Sequence, residues 1–189
     1  MILPIYIYGS AVLRAQAKEI DIKNIDKEEF KKYLDNMWET MYDSDGVGLA
    51  APQAGISERL FVIDGSDMKS VYPYLNGFKR VMINPEILEE SKETVSFGEG
   101  CLSVPNIYGD VIRPAKIKIK YFDENLEEEI EELDGYKARM VQHEFDHLNG
   151  VLFVDRFPQI RKKMIRSKLH NISNGKFKVS YKFKQTKKK

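Results

Sequence analysis

The chain has 189 residues, 42% hydrophobic and 31% charged, the make-up of one soluble globular domain with a real core. No apolar run approaches the roughly 20 residues needed to cross a bilayer. Met1-Ile2-Leu3-Pro4 lacks the basic lead of a secretory signal and the Arg- and Ser-rich lead of a transit peptide, so a cytoplasmic chain is expected. The net charge of +1 hides an asymmetry, because thirteen Lys and Arg and no acid follow from Arg156 onward. Such a tail is commonly a solvated helix and terminus, and it also suits a polyanion such as RNA.

In chain order, residues 1–20 read as an irregular lead with short apolar pieces at Ile5-Tyr6-Ile7 and Ala11-Val12-Leu13. Asp26 followed by Glu29 opens a helix by the capping-box pattern. Phe30, Leu34, Met37, Trp38 and Met41 then keep helical spacing to the stop at Asp43-Ser44-Asp45-Gly46. Gly46-Val47-Gly48-Leu49-Ala50-Ala51-Pro52-Gln53 reads as a tight loop without the Gly-Lys-Ser/Thr ending of a phosphate loop. Short strands are expected over 59–64, 80–84 and 86–90, with a loop over 64–80. Gly98 to Pro105 is an extended or turning segment around the single Cys101. Lys116-Ile117-Lys118-Ile119-Lys120-Tyr121 alternates strictly, turns at Asp123-Glu124-Asn125 and returns over 127–133 as a hairpin. A helix follows from Asp134-Gly135 to Asn149-Gly150, and a basic one over 159–171 behind Pro158. Phe177 to Phe183 alternates apolar and polar residues and suggests an edge strand before a frayed lysine end.

The chemistry concentrates in the first of those two helices, at Gln142-His143-Glu144-Phe145-Asp146-His147. Residues four apart share a helix face about 6 Å apart along the axis, so His143 and His147 can offer two imidazoles to one ion. Glu144 lies about 100° round the helix, where a general base for an activated water belongs. Two histidines leave the site incomplete, since a catalytic metal takes three protein ligands and keeps one position open. Extended metalloprotease patterns place a third His six residues on, where this chain has Phe153, and others use a downstream glutamate, of which none follows His147. Downstream only Asp155 and His170 remain as candidates, and His170 sits among bases. The third ligand is therefore expected upstream, with Cys101 the obvious donor. A lone cysteine excludes an internal disulfide and otherwise serves as a buried or reactive thiol.

Taken together, Gly46-Val47-Gly48-Leu49-Ala50-Ala51-Pro52-Gln53, Glu99-Gly100-Cys101-Leu102-Ser103 and Gln142-His143-Glu144-Phe145-Asp146-His147 resemble the three motifs of the peptide deformylases. The resemblance runs from about Ile5 to Val154. It implies a mononuclear site with Cys101, His143 and His147 as ligands. Fe(II) is the family's usual metal, and zinc, nickel or cobalt are able to occupy the site. It implies hydrolysis of the formyl group from formyl-methionyl nascent peptides, with formate released. Glu144 would act as base and acid, and the Leu102 N–H and Gln53 amide as oxyanion donors. Val47, Gly48, Glu99, Gly100 and Met140 would bind substrate, with Met140 and Val141 as candidates for the methionine pocket. Glu99 would also pair with Arg113.

The expected fold is α+β, with antiparallel sheets around a central metal-binding helix, an N-terminal helix and a basic C-terminal helix. Residues 1–175 form the expected catalytic domain and 176–189 a basic tail, with ribosome or RNA proximity as the partner it suggests. Two rivals make different demands. An endopeptidase needs the downstream ligand this chain lacks, and a structural metal module would close the site with four protein ligands and have no use for Glu144 or Gln53.

Overall fold

The computed structural model describes residues 1–185; the frayed lysine end expected over 186–189 lies outside them. Asp26 accepts from the backbone N–H groups of Glu28 and Glu29, both at 3.0 Å, and so caps the first helix, α1 (Lys27–Asp43). Leu34, Met37 and Met41 form its buried stripe, packed on Leu49, Leu60, Val62, Val81 and Ile83. Those last residues belong to a five-stranded antiparallel sheet in the order β2-β3-β4-β7-β8. Its strands are β2 (Gly48–Ala50), β3 (Leu60–Asp64), β4 (Lys79–Glu90), β7 (Lys116–Phe122) and β8 (Glu128–Asp134).

Two expectations change within this sheet. The glycine-rich stretch is not only a loop: Gly48–Ala50 is the sheet's edge strand, and Ala51–Ala54 a 3-10 turn. The strands expected at 80–84 and 86–90 are one, β4, which continues through Pro85. A register irregularity between Ile83 and Glu86, with Asn84 at φ 48°, absorbs the proline's missing N–H. The segment around Cys101 is extended and then turns, as expected, within a long hairpin of β5 (Thr94–Cys101) and β6 (Val104–Pro114), paired as its own two-stranded sheet.

The second helix, α2 (Gly135–Leu148), buries Ala138, Val141 and Leu148 in a core with Phe61, Ile63, Met82, Ile117 and Ile119. Its end is a Schellman motif, with Gly150 N donating to His147 O and Val151 N to Asp146 O. Gly150 has φ 71° and lies against Arg14, whose carbonyl a Cβ would meet at 2.6 Å. A third core joins Ile7, Val104 and Val111 to Leu152, Phe153, Phe157, Ile165 and Ile172, the last two from the basic helix α3 (Gln159–Ser173). The fold is thus α+β, with three α-helices and antiparallel sheets among the described residues. The alternating stretch from Phe177 on is mostly irregular. Among its described residues only Phe183–Lys184 (β9) forms a strand, parallel to β1 (Ile5–Tyr6). No described helix is long and apolar enough to cross a membrane.

Candidate metal centre

The β5–β6 hairpin brings the cysteine to the helix. Its register runs Glu99↔Gly109 and Gly100↔Tyr108 and then jumps to Cys101↔Val104, so residues 105–107 bulge from β6 and Leu102-Ser103 form the tip. Such a bulge re-aims the side chains beside it. Here the Cys101 Sγ lies 3.3 Å from His147 Nε2. The donor atoms of Cys101, His143 and His147 all lie within 4.8 Å of one another. A tetrahedral ion with a metal–sulfur bond near 2.3 Å and metal–nitrogen bonds near 2.0–2.1 Å holds its ligand atoms about 3.3–3.6 Å apart, a separation that Cys101 Sγ and His147 Nε2 already have. Thiolate and imidazole are also the donor types that divalent transition metals favour. The buried His147 Nδ1 and Glu144 Oε2 have no protein partner among the described residues, as expected of groups serving something other than the fold. The trio fits one ion.

Glu144 is the residue after the first histidine and is 5% exposed. A Cβ on Gly48 would overlap its carboxylate, so β2 needs glycine there to let the acid lie against the edge strand. Burial pushes the Glu144 carboxyl up to about 7, close to the operating pH of a general base. Burial, reinforced by the neighbouring His143 charge, holds His147 well below its ordinary value, so its lone pair is free. His143 runs the other way. Burial alone would lower it, but hydrogen bonds to the Cys101 sulfur and the Glu99 carboxylate prevail and keep it protonated. An arriving ion must displace that proton, which couples metal loading to proton release.

The orientation of His143 is set from behind. Its Nδ1 lies 2.8 Å from Glu99 Oε2, which turns Nε2 away from Glu99, toward the cysteine. Glu99 is itself held by Arg113, whose Nε and Nη2 donate at 2.7 and 2.9 Å, and by Arg139 Nη1 at 2.6 Å. Although burial alone would raise it, the hydrogen bonds and charges of Arg113 and His143 hold the Glu99 carboxyl below the usual carboxylate range. Arg113 Nη1 also donates to Asp146 at 2.6 Å, and Arg156 grips the same carboxylate with Nε and Nη2, both at 2.6 Å. The network ties β5, β6 and α2 together around His143. Removing one partner strands buried charge, which costs on the order of 3–5 kcal/mol.

Gln53 sits at the other rim. Its Oε1 accepts from Ala50 N at 2.8 Å, which directs Nε2 to Ser103 Oγ at 3.2 Å and Cys101 Sγ at 3.5 Å. Leu102 is at the hairpin tip beside it. One cavity of about 450 Å³ is lined by Val47, Gly48, Gln53, Glu99, Gly100, Cys101, Leu102, Met140, His143 and Glu144. Every substrate-binding residue expected from the sequence therefore meets Cys101 and His143 there, with His147 buried behind them, and with one exception. Val141 is fully buried against the sheet in the core and does not line the cavity, because it lies about 100° round the helix from Met140.

The sequence reading missed Arg139 and Asp146, and the far wall made by 106–108 and 178–181. For the first two a signal was available. A helix apolar on two sides that still carries an Arg and an Asp buries them, and buried charges are paired.

The sequence pattern of the polypeptide deformylase family matches residues 2–163. A peptide deformylase of Flavobacterium psychrophilum is 45% identical, covering all of both chains. One of Christiangramia forsetii is 44% identical over 97% of this chain and 96% of its own. Among solved structures, the peptide deformylase of Thermotoga maritima is 47% identical with a TM-score of 0.73, covering 84% of this chain and 99% of that one. That of Legionella pneumophila is 37% identical with a TM-score of 0.79, covering 92% and 96%.

Proposed function

The chain belongs to the polypeptide deformylase family, and from that premise we propose how its own residues share the reaction. The activity is that of a metallohydrolase that removes the formyl group from N-formyl-methionyl peptides. The observation that carries the residue assignment is the convergence of the Cys101, His143 and His147 donor atoms at a cavity lined by Cys101, His143 and the buried Glu144.

Cys101, His143 and His147 hold one divalent ion, Fe(II) by likeness to the family, with zinc, nickel or cobalt as ions the same donors accept. When bound, the ion supplies Lewis acidity that brings the pKa of a water near neutrality. Glu144 takes a proton from the attacking water and later delivers it to the departing methionine amine. The Leu102 N–H and Gln53 Nε2 donate to the oxyanion that develops on the formyl oxygen. Val47, Gly48, Glu99 and Gly100 line the path of the peptide, and Met140 the pocket for its methionine side chain. Glu99 and Arg113 keep His143 in the ligating tautomer. In this reading α2 is the central metal-binding helix of the fold, and residues 1–175 are the catalytic domain that 176–189 extends.

Formate release from a formyl-Met peptide, measured on anaerobically purified protein beside metal analysis, is the direct test. We expect about one ion per chain and turnover that a chelator abolishes and Fe(II) restores. Turnover that persists in fully chelated protein sinks the metal assignment.

Nascent chains place the work in the cytoplasm, and the basic C-terminal region supports ribosome or RNA proximity. Lys163, Arg166 and Lys168 are exposed on α3. Changing all three to Gln is expected to weaken ribosome co-sedimentation and to lower its salt slope by up to about three, one per lost phosphate contact. An unchanged slope removes that role from α3.

A further inference from the structure

The stretch from Phe177 to Gln185 lies beyond residues 2–163, which the family pattern covers, and it does not trail away from the domain. Phe177 packs on the third core and Tyr181 on the second. The Phe177 and Phe183 rings lie 4.6 Å apart. Asn106 Nδ2 donates to Lys178 O at 3.4 Å, Ile5 N donates to Lys182 O at 2.9 Å, and Gln185 Nε2 donates to Ser173 O. Between these anchors the chain is irregular, with bends at 177, 180 and 181. Phe177, Val179 and Tyr181 are partly buried, while Lys178, Ser180 and Lys182 are exposed. Residues 178–181 form a wall of the same cavity that holds Cys101 and Glu144.

One contact reaches the reacting end of that cavity. The Tyr181 hydroxyl donates to the Leu102 carbonyl at 2.6 Å. The next carbonyl, that of Ser103, accepts from Tyr8 N at 2.7 Å. The hairpin tip that carries the Leu102 N–H is thus pinned from outside by both ends of the chain. A two-residue tip beside a three-residue bulge has few bonds of its own, and an oxyanion donor is useful only if it is fixed before the reaction.

We propose that residues 177–185 are a strap over the peptide cleft, and that Tyr181 is a positioning residue that fixes the Leu102 turn through its carbonyl. The proposal rests on the reading of this cavity as the deformylase site. It predicts a split in the kinetics. The strap wall binds peptide in the ground state, whereas the Tyr181 bond matters when charge develops beside Leu102.

Tyr181→Phe keeps the ring and removes only the hydroxyl. In the full-length, metal-loaded enzyme we expect kcat on a formyl-Met peptide to fall roughly ten-fold, less than the about 10²–10³ that follows outright removal of an oxyanion donor, with KM within about two-fold. Metal content should be unchanged. In both loaded and chelated protein, amide exchange of the peptide spanning 101–104 should speed up severalfold as the turn opens more often. An unchanged kcat, or a rise in KM alone, overturns the positioning role, as does unchanged exchange at 101–104. If wild-type protein releases no formate, the functional reading fails by itself, and the exchange measurement still decides whether Tyr181 holds the turn.

Discussion

Glu144→Ala is expected to retain its metal and fold while formate release falls by about 10²–10⁴-fold, the range a positioned acid–base group contributes. The carboxylate is close to no competing base: among the residues lining the cavity, the remaining carboxylates are Asp45, at the mouth, and Glu99, which is committed to Arg113, Arg139 and His143. Removing it does not break the fold. Burial has pushed its carboxyl up to about 7, so the folded state binds a proton that the unfolded chain, with an ordinary carboxyl near 4.5, has released. In the metal-free protein this group therefore takes stability away as pH rises from about 4.5 to 7. The alanine variant should melt at least as high as wild type at neutral pH when both are metal-free. A bound cation favours the ionised form, so the acid limb of kcat/KM in the wild-type enzyme should lie at or below about pH 7. Full activity in the alanine variant removes Glu144 from the general-base role.

What could be read in advance follows from where the information sits along the chain. The helices α1 and α2 and the 116–134 hairpin announce themselves because their burial is periodic and their turns are local, as with Asp26, Asn149-Gly150 and Asp123. The β5–β6 hairpin does not. Gly98, Glu99 and Gly100 break its apolar alternation because Glu99 is buried to serve His143, so the needs of the site overwrite the signal of the strand. β4 is hidden for a different reason, since Pro85 looks like a boundary until Asn84 absorbs it in a bulge. The metal trio is legible from chemistry, because donor type and the four-residue spacing carry the geometry. Its supporting charges are not. Arg113, Arg139 and Asp146 meet Glu99 or each other across 14 to 40 residues, and no local pattern encodes such a meeting. The alternation of Phe177, Val179 and Tyr181 is real but is used to lay an irregular segment along the cleft, where among the described residues only Phe183–Lys184 pairs as strand.

The thiolate carries the second large effect. Cys101→Ser replaces a soft sulfur ligand by a hard, neutral hydroxyl, a far poorer partner for a soft or borderline ion. Loss of a group that merely orients a ligand already costs about 10–100-fold in metal affinity. We therefore expect Cys101→Ser to retain metal at least about 100-fold more weakly than wild type, with formate release lost in proportion to the lost metal. The fold should survive, because Cys101 is only partly buried at a hairpin tip held by Tyr8 and Tyr181. Equal melting of the two metal-free proteins separates ligand loss from unfolding. Cobalt substitution gives the decisive readout, since a sulfur ligand adds charge-transfer absorption that an oxygen ligand does not. Unchanged metal content with an unchanged cobalt spectrum would falsify the assignment of Cys101 and return the third ligand to Asp155 or His170. Their placement argues against that outcome. Asp155 is occupied by Arg14 and by the backbone of Leu152, and His170 is exposed on α3, bonded to Asn174.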